Sequence, residues 1–299
     1  MRKAIVLVVI LTALVSLCIS QEEGTEEWAV DQWKDYLLLA NPSIDQTSSN
    51  IFSGFRNIED LSPGTHIVFK GSARGFFQGL EVPYDMTMNL TVLDNEVISG
   101  KECVAVEITM DSNIEMQGQS SSMIFTGKEW IDADGTLVKM DGEMKTSSGG
   151  TEASIGLTTE LVGEKQYKGY DCWVYSSTQS MEMMGTTLDM EMTQYMDKES
   201  QAVVGALVQG NEVEMNQEAL EAATYMYEAE WELGGRETIT TDMGTYDCQV
   251  IYLKRDGKVF GTIWANEEFR APLKYVVSYD VGDLKSEMTL TLIEYTWKA

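Results

Sequence analysis

A short pattern that occurs three times in this chain constrains its fold more than any other feature of the sequence. In each copy a glycine turn leads into a run of β-branched and aromatic residues with one cysteine near its start, a composition typical of a half-buried strand. The three copies are residues 100–106, 169–175 and 244–252. Each is followed by an aromatic residue with an acid or amide two positions later: Trp130 and Asp132, Tyr195 and Asp197, and Trp264 and Asn266.

The two-part pattern recurs at about 70 residues, which is longer than the repeats of stacked solenoid proteins. It therefore predicts three similar β-meanders within one antiparallel sheet, at about residues 65–145, 151–215 and 225–299. A single domain over residues 65–299 is favoured over three separate ones, because each meander alone would leave one face of its sheet uncovered. We expect about 12 strands in that domain.

Alternation of apolar and polar residues gives the clearest single strand, at residues 82–93. This alternation is typical of an antiparallel strand with one wet face. Asp256-Gly257, between two apolar runs, predicts a tight hairpin. The glycine- and serine-rich residues 146–151 predict a flexible loop between the first two meanders. In the last strand the apolar parity changes after Leu292, which predicts a β-bulge or a bend across a curved sheet.

The N-terminal residues 1–20 have the features of a secretory signal. Met1-Arg2-Lys3 is followed by an uncharged run at residues 4–19, which is short for crossing a bilayer. Export is therefore predicted, to an extracytoplasmic location in the cell envelope. Three fates of the segment stay open: cleavage that leaves Gln21 first, lipid attachment at Cys18, or retention as a membrane anchor.

The chain carries 48 acidic and 21 basic residues, which gives a net charge of -27. Such a field repels phosphate backbones and anionic lipid head groups. No nucleic-acid partner is therefore predicted, and membrane contact is expected through the N-terminal segment. A hydrophobic content of 43% supports a folded core.

Two helices are predicted outside the strands. Residues 21–64 combine an acidic spacer with an amphipathic helix at about residues 25–40, whose apolar positions follow a helical period and which ends before Pro42. A second, short helix at residues 216–224, capped by Asn216, precedes the last meander.

Three cysteines follow the signal segment: Cys103, Cys172 and Cys248. An odd number in an exported chain leaves at least one thiol unpaired. Equivalent repeat positions are separated by several strands at about 4.8 Å each, beyond the reach of a disulfide, so buried free thiols are the favoured prediction. A disulfide between two of them, or a metal or catalytic role, is the alternative.

Methionine is abundant, with 18 in the chain, and several recur at alternate positions of a predicted hairpin over residues 181–196. Flexible thioether side chains suit an apolar cavity that fits ligands of variable shape. They also fill cores, and as soft ligands they can hold Cu(I). A ligand cavity, a methionine-rich core and a copper site all stay open as interpretations.

The sequence predicts no catalytic residue, no metal site and no cofactor. His66 is the single histidine, so a Ser-His-Asp triad or a histidine-rich metal site would have to include it. We predict that it is an ordinary residue at a strand edge. The run Asp132-Ala133-Asp134-Gly135 resembles the start of a calcium loop but lacks the downstream glutamate, which favours a turn between strands.

The signatures Trp130-Ile131-Asp132 and Trp264-Ala265-Asn266 each follow a cysteine-bearing strand and precede an apolar strand. Through this arrangement of strands and signatures, the chain resembles the lipoprotein-carrier superfamily, the LolA, LolB and LppX-like proteins, over about residues 65–299. The resemblance implies a single strongly curved antiparallel sheet, a half-open barrel, with helices against its concave side. The expected fold class is thus mainly β, with three meander repeats, an N-terminal helix and a short helix before the last repeat.

The resemblance also implies that apolar side chains of the concave face line a cavity for an acyl or isoprenoid chain. The implied ligand-binding residues are Val82, Tyr84, Met86, Met88, Leu90, Met181, Met183, Met190 and Met192. The expected function is that of an exported or membrane-tethered, non-enzymatic carrier of a lipid or another hydrophobic molecule. The alternatives are a cell-surface structural or interaction protein with a filled core, and a methionine-rich Cu(I)-binding protein.

Overall fold

The chain divides into two compact units, Met1–Lys34 and Asp35–Ala299. The computed structural model describes residues 28–37, 39–40, 55–56, 61–77, 80–116, 119–183, 186–199, 203–213, 229–281 and 284–297. In the first unit the rings of Trp28 and Trp33 lie 4.7 Å apart and are tilted by 41°. All strands of the described ranges belong to the second unit.

One α-helix and 18 strands occur in the described ranges. Helix α1 comprises Val30–Tyr36. The strands are β1 (Leu39–Ala40), β2 (Phe55–Arg56), β3 (His66–Phe77), β4 (Leu80–Val92), β5 (Glu96–Ile98), β6 (Lys101–Met116), β7 (Gln119–Asp132), β8 (Leu137–Ser148), β9 (Thr151–Tyr167), β10 (Tyr170–Met183), β11 (Thr186–Asp197), β12 (Val203–Val208), β13 (Asn211–Val213), β14 (Glu230–Thr241), β15 (Gly244–Arg255), β16 (Lys258–Ala265), β17 (Lys274–Val281) and β18 (Leu284–Thr296).

Helix α1 is shorter than the sequence pattern predicted. Among the described residues it comprises Val30–Tyr36, whereas the prediction was about residues 25–40, and Leu39–Ala40 pairs with Phe55–Arg56. Hydrogen bonds to β2 therefore replace the last turn of the predicted helix. The predicted helix at residues 216–224 lies outside the described residues, and so does the signal segment with Cys18.

Sixteen strands form one antiparallel sheet that does not close. Their order is β13-β12-β11-β10-β9-β8-β7-β6-β4-β3-β18-β17-β16-β15-β14, with β5 paired to β6. The predicted fold class, mainly β with a half-open barrel, is confirmed. The predicted number of about 12 strands was too low, because segments expected to be loops are paired as strands.

The two ends of the β domain meet in the middle of the sheet. Strand β18 pairs with β3, so the third meander joins the sheet beside the first, on the side away from the second. Within the described chain, the edges of the sheet are β13 and β14, which follow one another in strand order along the sequence. The register between β18 and β3 shifts between Leu292 and Glu294, which confirms the predicted bulge.

Two glycine-containing turns connect neighbouring strands tightly. Asp256 and Gly257, with φ of 52° and 73°, form the predicted hairpin between β15 and β16. Gly149 and Gly150 have φ of 58° and 83°, and the ladder of β8 and β9 continues to the residues that flank them. The prediction of a flexible loop at residues 146–151 was therefore wrong. Two consecutive glycines adopt the left-handed backbone that a two-residue hairpin turn requires.

Equivalent places on one face of the sheet, the cysteine face, are occupied by Cys103, Cys172 and Cys248. All three are free and buried, as predicted. Each thiol donates to the carbonyl oxygen two residues earlier, at 3.6 to 3.7 Å. Cys103 lies across the strand pair from Asp132, and Cys172 lies across from Asp197. Four strand spacings, about 19 Å, separate the first two cysteines, which excludes a disulfide between them.

The aromatic residue of each repeated signature packs on the cysteine face beneath a lysine. The rings are Trp130, Tyr195 and Trp264, with the ammonium groups of Lys128, Lys165 and Lys274 at 4.9, 5.5 and 4.9 Å from their centroids. The indole N–H groups of Trp130 and Trp264 donate to Glu96 at 3.0 Å and to Glu237 at 2.8 Å. The signature therefore marks a repeated packing arrangement of the fold.

Candidate ligand-binding face

The face of the sheet opposite the cysteines is rich in methionine. Directly opposed residues of an antiparallel pair share a face, and successive residues of a strand alternate between faces. By register, this methionine face carries Met86, Met88, Met110, Met116, Met123, Met140, Met144, Met181, Met183, Met190, Met192, Met196 and Met288. The predicted methionine hairpin, β10 and β11, is one part of this larger surface.

One row of apolar side chains crosses the methionine face over nine strands. Its members, from β18 to β11, are Leu292, Phe69, Met88, Met110, Phe125, Met144, Ile155, Met181 and Leu188, the apolar row. The first five are buried, each at most 6% exposed, and the next two are half-buried. Met181 and Leu188, at the far end, are 37% and 64% exposed. The row thus passes from packed core to solvent-exposed apolar surface without a polar residue.

The first group of residues that the resemblance implied for ligand binding lies on β4. Tyr84, Met86, Met88 and Leu90 alternate along this strand and share the methionine face. Met88 and Leu90 are buried, whereas Tyr84 and Met86 are half-buried. Val82 occupies a register position of the same face. Only part of this group is therefore accessible in the described structure.

The second group lies on β10 and β11. Met181 is exposed, Met190 and Met192 are half-buried, and Met183 occupies a register position of the same face. Within this described hairpin, each of the four lies opposite a residue other than methionine. Five strand spacings, about 24 Å, separate β10 from β4. The structure therefore places the two groups on one face, with four strands between them.

The residues that connect the two groups were not among the predicted ligand-binding residues, although Met110 and Met144 belong to the abundant methionines of the first repeat. Met110, Phe125, Met144 and Ile155 supply the middle of the apolar row. Their period-two alternation is present in the sequence, but serine, threonine and glycine at neighbouring positions of the same face interrupt it. The apolar row becomes visible only when the register between strands is known.

Glu129 is an acidic residue on the methionine face. It is 1% exposed, and it lies between Val106 of β6 and Met140 of β8 in register. Neither carboxyl oxygen has a hydrogen-bond partner among the described residues. Burial raises the pKa of Glu129 to about 8, so the carboxyl is mostly neutral at pH 7. In the sequence, Glu129 shares its strand parity with Phe125, which is the signal that places it on this face, whereas the adjacent Trp130 belongs to the other face.

Three other buried side chains of the methionine face form hydrogen bonds through their hydroxyl groups. The hydroxyls of Thr159 and Ser177 lie 3.0 Å apart and share a hydrogen bond. The hydroxyl of Tyr175 donates to the carbonyl oxygen of Leu137 at 3.1 Å. In the described part of the chain, the hydroxyl of Ser112, like the carboxyl of Glu129, has no hydrogen-bond partner. Unsatisfied polar groups are therefore few on this face.

The predicted turn after β7 is stabilised by Asp132. One carboxylate oxygen accepts hydrogen bonds from the backbone N–H groups of Asp134 at 3.2 Å and Thr136 at 3.0 Å. The other accepts from Lys101 at 2.6 Å. Burial alone would raise the pKa of Asp132, but the Lys101 ammonium and these backbone N–H groups outweigh it and hold the pKa below its usual range. The sequence predicted a turn here, and the structure shows that the Asp132 carboxylate holds it.

The remaining candidates for chemistry are placed in ordinary structural roles. His66 begins β3, and its Nδ1 lies 2.9 Å from the hydroxyl oxygen of Thr91. Across the described ranges, no three His, Cys, Asp or Glu side chains gather closely enough to hold a metal ion. Within those ranges, no helix has the length and apolar character needed to span a bilayer.

Comparison with known proteins finds similarity in structure only. No family model and no curated protein matches the sequence. The chain is similar to a β-barrel-like protein of the domain of unknown function DUF1849 from Brucella abortus, with 13% identity and a TM-score of 0.34 over 80% of this chain and 100% of that one. It is also similar to a candidate lipoprotein from Parabacteroides distasonis, with 12% identity and a TM-score of 0.24 over 79% and 96% of the two chains. A candidate exported protein with a YmcC-like fold from Bacteroides fragilis shows 8% identity and a TM-score of 0.19 over 79% and 97%. Likeness at this level transfers no function.

Proposed function

We propose that this protein is an exported or membrane-tethered, non-enzymatic carrier of the lipoprotein-carrier type, which binds a lipid or another hydrophobic molecule on its methionine face. The apolar row carries this proposal, because it continues from packed core into the exposed side chains of Met181 and Leu188. A core that only fills itself has no need for exposed methionine and leucine at its end. An apolar chain that lies along the row would cover both side chains.

The chemistry of the methionine face suits cargo of variable shape. Methionine side chains are unbranched, flexible and polarizable, so they adapt to an apolar chain without a fixed pocket. Transfer of ten methylene groups from water to such a surface contributes about 8 kcal/mol, at about 0.8 kcal/mol for each group. The costs of association and of ordering the ligand offset part of this gain, which is compatible with a carrier that must also release its cargo.

The sequence of the first 20 residues supports an extracytoplasmic location for this function. A charged start, an apolar run and Cys18 are typical of exported chains that are cleaved, lipidated or retained as an anchor. The net charge of -27 disfavours electrostatic adsorption to anionic head groups. Contact with a membrane is therefore assigned to the N-terminal segment.

The experiment that tests the proposal uses the fluorescence of N-phenyl-1-naphthylamine, an apolar probe that brightens in apolar surroundings. We expect the full chain to bind the probe, and Met181→Glu together with Leu188→Glu to weaken binding about tenfold, since a charge would have to be desolvated beneath the ligand. These positions are exposed, so the substitutions leave the core intact. Substitution of the buried Met88 would confound binding with unfolding.

The matched control is Ile124→Glu. Ile124 is 41% exposed and lies on the cysteine face, opposite Asp111 and Lys145. The Ile124→Glu substitution should leave binding of N-phenyl-1-naphthylamine unchanged. Equal binding by the Met181 and Leu188 variant and the wild-type protein, or an equal loss in the Ile124 variant, would contradict the proposal.

Native mass spectrometry of the protein purified without detergent separates the alternatives. Extra mass that matches a lipid supports the carrier, and extra mass that matches copper favours the Cu(I) interpretation of the methionines. A bare polypeptide that also fails to bind the probe favours a structural or interaction protein with a filled core.

A further inference from the structure

We infer that the methionine face takes an uncharged amphiphile with a hydroxyl head group, such as a long-chain alcohol, and that Glu129 is the residue that hydrogen-bonds this hydroxyl. The inference rests on the proposed carrier function and names the chemical class of the cargo. Glu129 is nine-tenths or more buried, it belongs to the same face as the apolar row, and its two carboxyl oxygens have no partner in the described chain.

The surroundings of Glu129 on this face are apolar. Val106 of β6 lies directly opposite Glu129 on one side, and Met140 of β8 lies directly opposite it on the other. Along its own strand, the neighbours on the same face are Gly127 and Ile131, which offer no side-chain hydrogen bond. None of these four described neighbours can therefore satisfy the carboxyl through its side chain, which leaves the hydrogen bond for a ligand to supply.

The nearby cations act on the other face. Lys128 and Lys139 lie over the ring of Trp130 at 4.9 and 5.2 Å from its centroid, on the cysteine face. Burial is the cause of the raised pKa of Glu129, and no charged neighbour contributes to it. The carboxyl is thus isolated from the ion pairs of the sheet.

An isolated buried carboxyl is unfavourable for a protein that only fills its own core. Burying a polar group without a hydrogen bond costs free energy, which leucine or methionine at the same position would avoid. A ligand that supplies the missing hydrogen bond recovers this cost on binding. The orphaned group therefore favours, among apolar ligands, those that carry a matching polar atom.

The protonation state of Glu129 selects the matching group. A neutral carboxyl donates through its O–H and accepts through its carbonyl oxygen, and a hydroxyl also donates once and accepts. One hydroxyl can satisfy both. A protonated amine would require two ions in an apolar site, with a large desolvation penalty for each. A fatty-acid carboxylate would add a buried negative charge to a chain that already carries -27.

The test compares four ligands with one chain length on the full-length protein. Displacement of N-phenyl-1-naphthylamine is measured with 1-tetradecanol, tetradecane, tetradecylamine and tetradecanoate, for the wild-type protein, Glu129→Gln and Glu129→Leu. We expect tetradecanol to displace the probe about tenfold better than tetradecane. The ratio of displacement by tetradecanol to displacement by tetradecane should stay at about ten in Glu129→Gln, because the amide also donates and accepts a hydrogen bond. The same ratio should fall to about one in Glu129→Leu. Because each ratio is taken within one variant, the folded fraction of the sample cancels.

The outcomes distinguish this inference from the proposed function. A ratio of about one in the wild-type protein, or an unchanged ratio in Glu129→Leu, overturns the role of Glu129 while probe binding leaves the carrier function standing. A preference for tetradecylamine that disappears in Glu129→Gln overturns the hydroxyl class and points to an ionic site. Failure of the wild-type protein to bind the probe overturns the carrier function itself.

Discussion

The ring of Phe125 covers Gly127, two residues further along β7, so closely that a Cβ atom at Gly127 would lie 2.6 Å from Cζ of that ring. The same ring covers Gly142, the residue directly opposite Gly127 on β8, where a Cβ atom would lie 2.9 Å away. Two glycines across one strand pair thus create the space for a large aromatic ring. This packing fixes the ring at the middle of the apolar row.

Alanine at Gly127 or Gly142 should therefore destabilise the protein by about 1 to 3 kcal/mol, because the buried ring must leave its position. Urea unfolding followed by circular dichroism measures the loss. The control is Gly156→Ala in β9, where the nearest atom would lie 3.9 Å from the new Cβ, and where we expect a change within about 0.5 kcal/mol. Equal stability of the Gly127 and Gly156 variants would show that the ring does not occupy this place.

The turn after β7 should depend on one carboxylate. Asp132→Ala removes the acceptor of two backbone N–H groups and the partner of Lys101, so we expect a loss of about 2 kcal/mol at pH 7 by urea unfolding. Asp134→Ala, two residues away and exposed, should change stability by less than about 0.5 kcal/mol.

The effect of Asp132 should also depend on pH. Because its pKa is held below the ordinary 3.8, its contribution is present above that pH and is lost as the pH falls through the lower pKa of the folded state. The difference between the wild-type protein and Asp132→Ala should therefore shrink in acid. A difference that stays constant to the lowest pH at which the fold persists would contradict the assigned hydrogen bonds.

Glu129 should make the ligand-free protein less stable as the pH rises. Its pKa is raised from 4.5 to about 8, so between these values the unfolded chain releases a proton that the folded chain keeps. Stability then falls with rising pH, by up to about 1.4 kcal/mol for each pH unit, and the loss levels off above about pH 8. We expect Glu129→Leu to gain stability over the wild-type protein, more at pH 8 than at pH 5, in urea unfolding of the ligand-free chain. The same gain at both pH values would argue that the carboxyl is ionised in the folded state.

The cysteines of the sheet should resist alkylation in the native protein. Burial raises the pKa of Cys248 to about 11 and also raises the pKa of Cys103 and of Cys172. The reactive thiolate is therefore scarce at pH 8 and inaccessible to reagent. Treatment with iodoacetamide, followed by peptide mapping, should label the three sites only after unfolding in urea. Labelling of any of them in the native protein at the rate of a free thiol would disprove their burial.

Short-range patterns in the sequence predicted several features of the local structure. Asp256-Gly257 specifies a hairpin because both positions tolerate the left-handed backbone that its turn requires. Alternation along residues 82–93 predicts a strand with one apolar face, and the change of parity after Leu292 predicts a bulge. Each of these features is decided by backbone sterics and by neighbours within a few residues. The threefold repeat predicted one antiparallel sheet and buried free thiols, whereas the half-open barrel was implied by the resemblance to the lipoprotein-carrier superfamily.

The register between distant strands is what only the tertiary structure decided. The pairing of β18 with β3 joins the ends of the β domain, and nothing local to either strand specifies that partner. Register also places Met181 in one row with Met88 and puts Glu129 beside Met140 on a buried apolar face. In sequence, Glu129 is only one of 48 acidic residues. Its burial depends on the neighbouring strands β6 and β8, which place Val106 and Met140 beside it. Strand pairing determines which side chains exclude water from Glu129, and nothing within its own segment specifies those neighbours.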